Sequence, residues 1–128
     1  MADVTVKTID EFDVAFGGAM KLVRHGLGVR SFGLQVEDFP PNADQYPEHD
    51  HSHDSQEEVF IVVEGAVILR AGDEEHELRP GTFARVGPGE KRKLVTGEEG
   101  ARVIALGGVP GKAYEVPEFT VPQEAQQA

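Results

Sequence analysis

The sequence predicts an all-β fold in a single domain, and three observations carry the prediction. The apolar residues make up 39% of the chain and come in short, dense runs rich in β-branched and aromatic side chains. Fifteen Gly and eight Pro cut these runs at roughly even intervals. Ser31-Phe32-Gly33-Leu34-Gln35-Val36-Glu37 alternates, so that Phe32, Leu34 and Val36 share one face of an extended chain. Short strands with turn signals between them build an antiparallel sandwich or barrel. At 128 residues the chain has room for one domain with a core of its own.

Taken in order, residues 4–9 read as the first strand. Residues 9–16 are the one helix-like stretch, worth a turn or two before Gly17-Gly18 ends it. Residues 27–39 form the next strand. Residues 57–63 and 66–70 are two further strands, with Glu64-Gly65 between them suggesting a tight hairpin. Ala71-Gly72-Asp73-Glu74 turns the chain again, toward a strand at 76–78. Arg79-Pro80-Gly81 and Gly87-Pro88-Gly89 bracket a strand at 82–86, because Pro interrupts a central strand and marks its end. Strands at 91–95, 102–106 and 113–116 complete the set. Residues 1–118 are read as the domain and the polar residues 119–128 as a loose tail.

Composition excludes several functions. Zero Cys removes disulfides, zinc ribbons, iron–sulfur clusters and thiol nucleophiles together. A net charge of −11 argues against nucleic acid and against an anionic membrane surface, both of which need clustered positive charge. No apolar run is long enough to span a bilayer, and the N-terminus shows no signal-peptide pattern. The expectation is a cytoplasmic protein.

The charge is unevenly placed. Residues 31–69 hold no Lys or Arg but nine acids, and three of the five His, at 49, 51 and 53, lie among them. His with carboxylate is the usual thiolate-free ligand set for a metal. His51 and His53 are two apart, so on an extended chain they point to the same side, and Glu58 follows after enough residues for a turn to bring it back beside them. Two imidazoles and one carboxylate on one side of an ion suit divalent Fe, Mn, Ni, Co or Zn and leave coordination positions open. Glu58, Phe60 and Val62 then share a face, which puts Glu58 inward and Glu57 outward.

This segment resembles the first motif of the cupin superfamily. His51-Ser-His53, four residues, Glu58, six residues and Gly65 match its main part, while Gln45 stands where that motif has its leading Gly. The resemblance continues into a degenerate second motif, where Gly81 and Gly89 fit, Gly87 stands at the Pro position, Arg92 at the third metal-binding His and Thr96 at the Asn. It covers about residues 30–110. It implies a small jelly-roll-like barrel, the double-stranded β-helix, often as a homodimer.

Arg92 changes the functional argument, because a guanidinium has no lone pair to give a metal. Three arrangements stay open. The metal binds through two His and Glu58, with Arg92 orienting an anionic substrate; His49 replaces the missing imidazole; or the metal is lost and Arg92 pairs with Glu58 inside the barrel. The register of the His pair is open too, since His49-Asp50-His51 is locally as good as His51-Ser52-His53. The metal ligands are therefore sought among His49, His51, His53 and Glu58. Arg92, Gln35, Phe60 and Arg85 are the candidates for lining a substrate pocket. Lys91 and Lys93 flank Arg92 on the opposite face, and His25 and His76 have no carboxylates at ligand spacing. The reading is a small cupin with a divalent transition metal and a small, anionic ligand, an enzyme of dioxygenase or isomerase type if it is one. The competing reading is a metal-free binding or sensing module. The run at 4–9 is the candidate for covering a partner's sheet edge in a homodimer.

Overall fold

The computed structural model describes residues 2–123. Two long strands organise it. β4 (Glu57–Ala71) and β7 (Arg92–Gly108) pair antiparallel along their whole length, from Glu57 opposite Gly108 to Ala71 opposite Arg92. Each runs straight through what local pattern divides into two strands. The expected hairpin at Glu64-Gly65 is instead a bend inside β4, with register shifts between Val62 and Glu64 and between Gly65 and Val67. Gly65 has φ 72, and a side chain there would overlap the Gly100 carbonyl, itself on a Gly with φ 64. A Cβ at residue 65 would strike the Gly100 backbone and one at residue 100 the Phe39 carbonyl and Pro40 backbone, so both positions of this corner call for Gly.

The bend makes two layers from one strand pair. In the first, β3 (Gly33–Phe39) pairs with the end of β7, and β6 (Phe83–Val86) pairs with the start of β4. In the second, β5 (Glu74–Leu78) pairs with the end of β4 through the expected turn at Gly72, where φ is 58. The core sits between the layers, on Phe60, Val62, Val86, Val103 and Ala105 from the first and Val67, Leu69, Leu78 and Leu94 from the second. This all-β architecture bears out the expected fold class.

The N-terminal third departs from the local reading. Residues 4–9 form no strand, the only helical pieces in the stretch at 9–16 are a 3₁₀ turn at Ile9–Glu11 and the start of another at Phe16–Gly18, and residues 113–116 are not in the sheet. Two-residue strands β1 (Val14–Ala15) and β2 (Met20–Lys21) extend the first layer, and a short helix, α1 (Val23–Leu27), comes before β3, so the stretch read as strand 27–39 is in the sheet only from Gly33. α1 packs against β3. Past the boundary drawn at 118, Glu118–Thr120 forms a 3₁₀ turn with Thr120 buried and the Phe119 ring 6.0 Å from Phe16. Residues 124–128, the rest of the expected tail, lie outside the described residues. Among the described residues no helix is long and apolar enough to cross a membrane.

Candidate functional site

Residues opposite one another across paired strands share a face, so the register orders the barrel interior in rows. Val86, Glu58, Gly107 and Gly33 form one row across β6, β4, β7 and β3. Ala84, Phe60, Ala105 and Gln35 form the next, and Val62, Val103 and Glu37 the third. Glu58 therefore points inward, as its alternation with Phe60 and Val62 predicts. So do Gln35 and Glu37, the polar face of β3. Leu34 and Val36 lie on the other face of β3, where Val36 is buried. Phe60 is fully buried in the core. Arg85 is a correction: it faces out from β6, 62% exposed, and its Nε donates to Glu57 Oε1 at 2.8 Å. Phe83, on the same outer face, is exposed as well.

The segment between β3 and β4 carries the histidines, and β7 pins it. The Asn42 amide donates to the Gly97 carbonyl. The Thr96 hydroxyl donates to the Pro40 carbonyl at 2.7 Å and accepts from the Ala43 amide at 2.8 Å. Lys93 Nζ donates to the carbonyls of Asp44 and Tyr46. His49 and Arg92 exchange backbone hydrogen bonds, and the His51 amide donates to Pro88. The register of this extended segment is thus set by long-range pairing.

That register brings His49, His51 and Glu58 together. His51 Nε2 lies 3.2 Å and His49 Nε2 3.8 Å from Glu58 Oε1. His53 falls outside this group. Its side chain is 74% exposed and approaches Asp54 at 3.4 Å, so it can join only a second, outer grouping with His51 and Asp54. Both inner rings are held from behind, His49 Nδ1 by the Pro47 carbonyl at 2.9 Å and His51 Nδ1 by the Asp54 carboxylate at 3.1 Å. Asp54 is held in turn by the backbone and side-chain nitrogens of Gln56. With the Nδ1 proton so directed, the Nε2 lone pairs face a carboxylate oxygen. That contact is favourable only with a cation between them, either a proton or a metal. Although His51 Nε2 is close to Glu58, it is not aligned for a hydrogen bond and is a buried polar atom without a partner. The Glu58 carboxylate beside it, with Asp54 adding, raises the His51 pKa against the effect of burial. Burial pushes Glu58 upward, yet His51, Arg92 and His49 together hold it below the usual carboxylate value.

Arg92 forms the pair with Glu58 that the third of the arrangements left open contains. It is fully buried, and its Nη1 donates to Glu58 Oε1. Nη2 donates to the Gly87 carbonyl at 2.6 Å and Nε to the Glu90 carbonyl at 3.0 Å. Its charge is matched by Glu58, and its fork clamps the turn that leads into β7.

Several site residues escape sequence reasoning. Glu37 is buried, and desolvation, with the charge of Glu58 adding, raises its pKa to about 8. It is a neutral carboxyl at pH 7. Gln56 Oε1 occupies the space above Gly107, 2.5 Å from where a Cβ would stand, and the Tyr114 hydroxyl does the same over Gly33 at 2.6 Å. Two glycines in the Glu58 row thus make room for two polar side chains. Burial raises the Tyr114 pKa. The one signal for Glu37 is an acid at the centre of a strand, which alternation assigns to solvent.

The comparisons agree with this architecture. A family model for the cupin domain matches residues 35–107. The chain belongs to the cupin family. No curated protein matches this cupin in sequence. Among solved structures, a cupin protein from Bacteroides fragilis superposes with a TM-score of 0.71 at 15% identity, covering 95% of this chain and 98% of its own. A sugar phosphate isomerase of the cupin superfamily from Silicibacter pomeroyi gives 0.68 at 21% identity, covering 81% and 75%. KdgF from a Halomonas species gives 0.55 at 22% identity, covering 62% and 69%. Likeness at these identities shows the fold alone.

Proposed function

We propose that this cupin binds a divalent transition metal on His49, His51 and Glu58 and presents it to a small molecule in the barrel. The observation that carries the proposal is the buried, unpartnered Nε2 of His51 facing Glu58 while Asp54 holds its Nδ1. A carboxylate behind a histidine sets the tautomer that ligates and raises its basicity. The residues fit such an ion in donor type and number, with coordination positions left for a ligand. A bound ion of this kind supplies Lewis acidity or, as Fe(II), oxygen chemistry. Arg92 stays on Glu58 as counter-charge and is not the substrate's anchor. The proposal includes a homodimer, supported by Val4 and Val6, which stand 72% and 84% exposed on an unpaired extended segment.

The second reading keeps the barrel metal-free, with Glu58 committed to Arg92; the Arg92–Glu58 bond favours it. Elemental analysis of protein purified without a metal-affinity column separates the two. The metal reading expects near-stoichiometric metal that Glu58→Gln removes. Less than about 0.1 ion per chain after supplementation with Fe, Mn, Ni, Co and Zn overturns it.

A further inference from the structure

Beside the inner group, one other set of three side chains among the described residues is placed to hold an ion. The candidate ligand atoms of His51, His53 and Asp54 all lie within 4.8 Å of one another. A turn builds the set: the amides of Asp54 and Ser55 both donate to the His51 carbonyl. The chain doubles back there, and the His51 and His53 rings stack with centroids 5.9 Å apart at 24°. Asp54 touches both. Its Oδ1 lies 3.1 Å from His51 Nδ1 and its Oδ2 3.4 Å from His53 Nε2. Two ligand atoms each about 2.1 Å from one ion stand about 3.0–3.4 Å apart at octahedral or tetrahedral angles. Both contacts fall in that range. Gln56 fixes the carboxylate through its backbone and side-chain nitrogens. Residues 31–69, which carry the set, hold nine acids and no Lys or Arg, a local charge that draws cations.

The two groups differ in access and share one residue. His53 is exposed to solvent, Glu58 is largely buried, and His51 belongs to both groups. A neutral imidazole has one nitrogen with a lone pair and one with a proton. With an ion in the inner group, His51 ligates through Nε2 and its Nδ1 proton goes to Asp54. With an ion in the outer group it ligates through Nδ1, and the proton sits on Nε2, where Glu58 Oε1 lies 3.2 Å away. Each state gives both nitrogens a partner, and the proton count is the same in both. The two sites are therefore alternatives. We propose that His53, Asp54 and His51 Nδ1 form an outer site for a divalent transition metal, which captures the ion from solvent and hands it through His51 to the inner group. In the hand-over the ion moves from Nδ1 to Nε2 and the proton from Nε2 to Nδ1. The outer site stands on its own geometry, while the hand-over rests on the inner metal site proposed above.

The test is calorimetric titration of the metal-stripped, tag-free full chain with Co(II), together with stopped-flow uptake of the same ion. The wild-type chain is expected to take one ion, because the sites share His51. His49→Ala removes an inner ligand only. It is expected to keep one ion at about ten-fold or more weaker affinity, since losing even a hydrogen-bond partner of a ligand costs about ten-fold. Adding His53→Ala should weaken that binding by about ten-fold again. His53→Ala alone, a change at an exposed side chain, is expected to slow Co(II) uptake about five-fold or more, within the range that local charge adds to an on-rate. Two tightly bound ions per wild-type chain, equal affinities of His49→Ala and the double variant, unchanged uptake by His53→Ala, or no Co(II) binding at all overturns the inference. The failure of each site has its own signature. If the inner site is absent, His49→Ala leaves Co(II) affinity as it is while His53→Ala lowers it, and the hand-over falls while the outer site stands. If the outer site is absent, His49→Ala lowers the affinity and His53→Ala changes nothing.

Discussion

Single side chains decide the chemistry here, and Arg92 is the clearest case. Its guanidinium neutralises Glu58 and ties down two carbonyls, so removing it breaks a buried pair. Arg92→His would free Glu58 and place a third imidazole beside His49 and His51. Metal affinity, measured by competition with a chelator, is expected to rise by about ten-fold or more. The metal-free variant should lose about 3–5 kcal/mol in denaturant melts, the usual cost of breaking such a pair. An unchanged metal affinity would show that the three side chains do not share a site. Glu37 makes a second prediction. Its pKa rises from 4.5 to about 8 on folding, so the folded chain keeps a proton that the unfolded chain has lost. Stability of the chelator-treated protein is therefore expected to fall as pH climbs from 4.5 to 8 and to level off above, by as much as about 4 kcal/mol from this group. Glu37→Gln, neutral at every pH, should flatten that slope; a variant with the wild-type slope would remove Glu37 as its source.

At the scale of elements, the site depends on what lies behind it. Gln56 holds Asp54, Asp54 holds His51, and the Gln56 amide oxygen lies 2.5 Å from where a Cβ on residue 107 of β7 would stand. Gly107→Ala puts a methyl against Gln56 Oε1 and displaces it. Metal affinity is expected to weaken about ten-fold, with the ligands themselves untouched. Retained affinity would mean that Asp54 orients His51 without Gln56. The pinning of residues 40–51 along β7 works the same way, because Thr96, Lys93 and Arg92 fix which histidines reach Glu58.

The whole molecule presents exposed apolar side chains at Val4 and Val6 on a segment that joins no sheet. In the proposed homodimer this segment covers a sheet edge of the second copy. Sedimentation analysis is expected to give a dimer, and Val4→Asp with Val6→Asp a monomer with its β-sheet signal intact. A wild-type monomer at all concentrations would end the proposal.

The sequence foretells most of the strand-forming runs, with 4–9 and 113–116 as exceptions, together with the turn at Gly72, the all-β class and the kind of ligands available. These are local properties, set by alternation, glycine and the absence of Cys. It also narrowed the metal set to one stretch of His and carboxylate. That β4 and β7 run unbroken past Gly65 and Gly100 emerges only in the folded chain, because it depends on backbones meeting at a corner. The same holds for His49 over His53, which follows from pairing with β7, and for Arg92 bonding Glu58 from 34 residues away. Glu37 was hidden for another reason, while Gln35 was named only as a candidate. Alternation tells which residues share a face but not which face is inside, and on β3 both faces are covered, so the polar one lines the barrel.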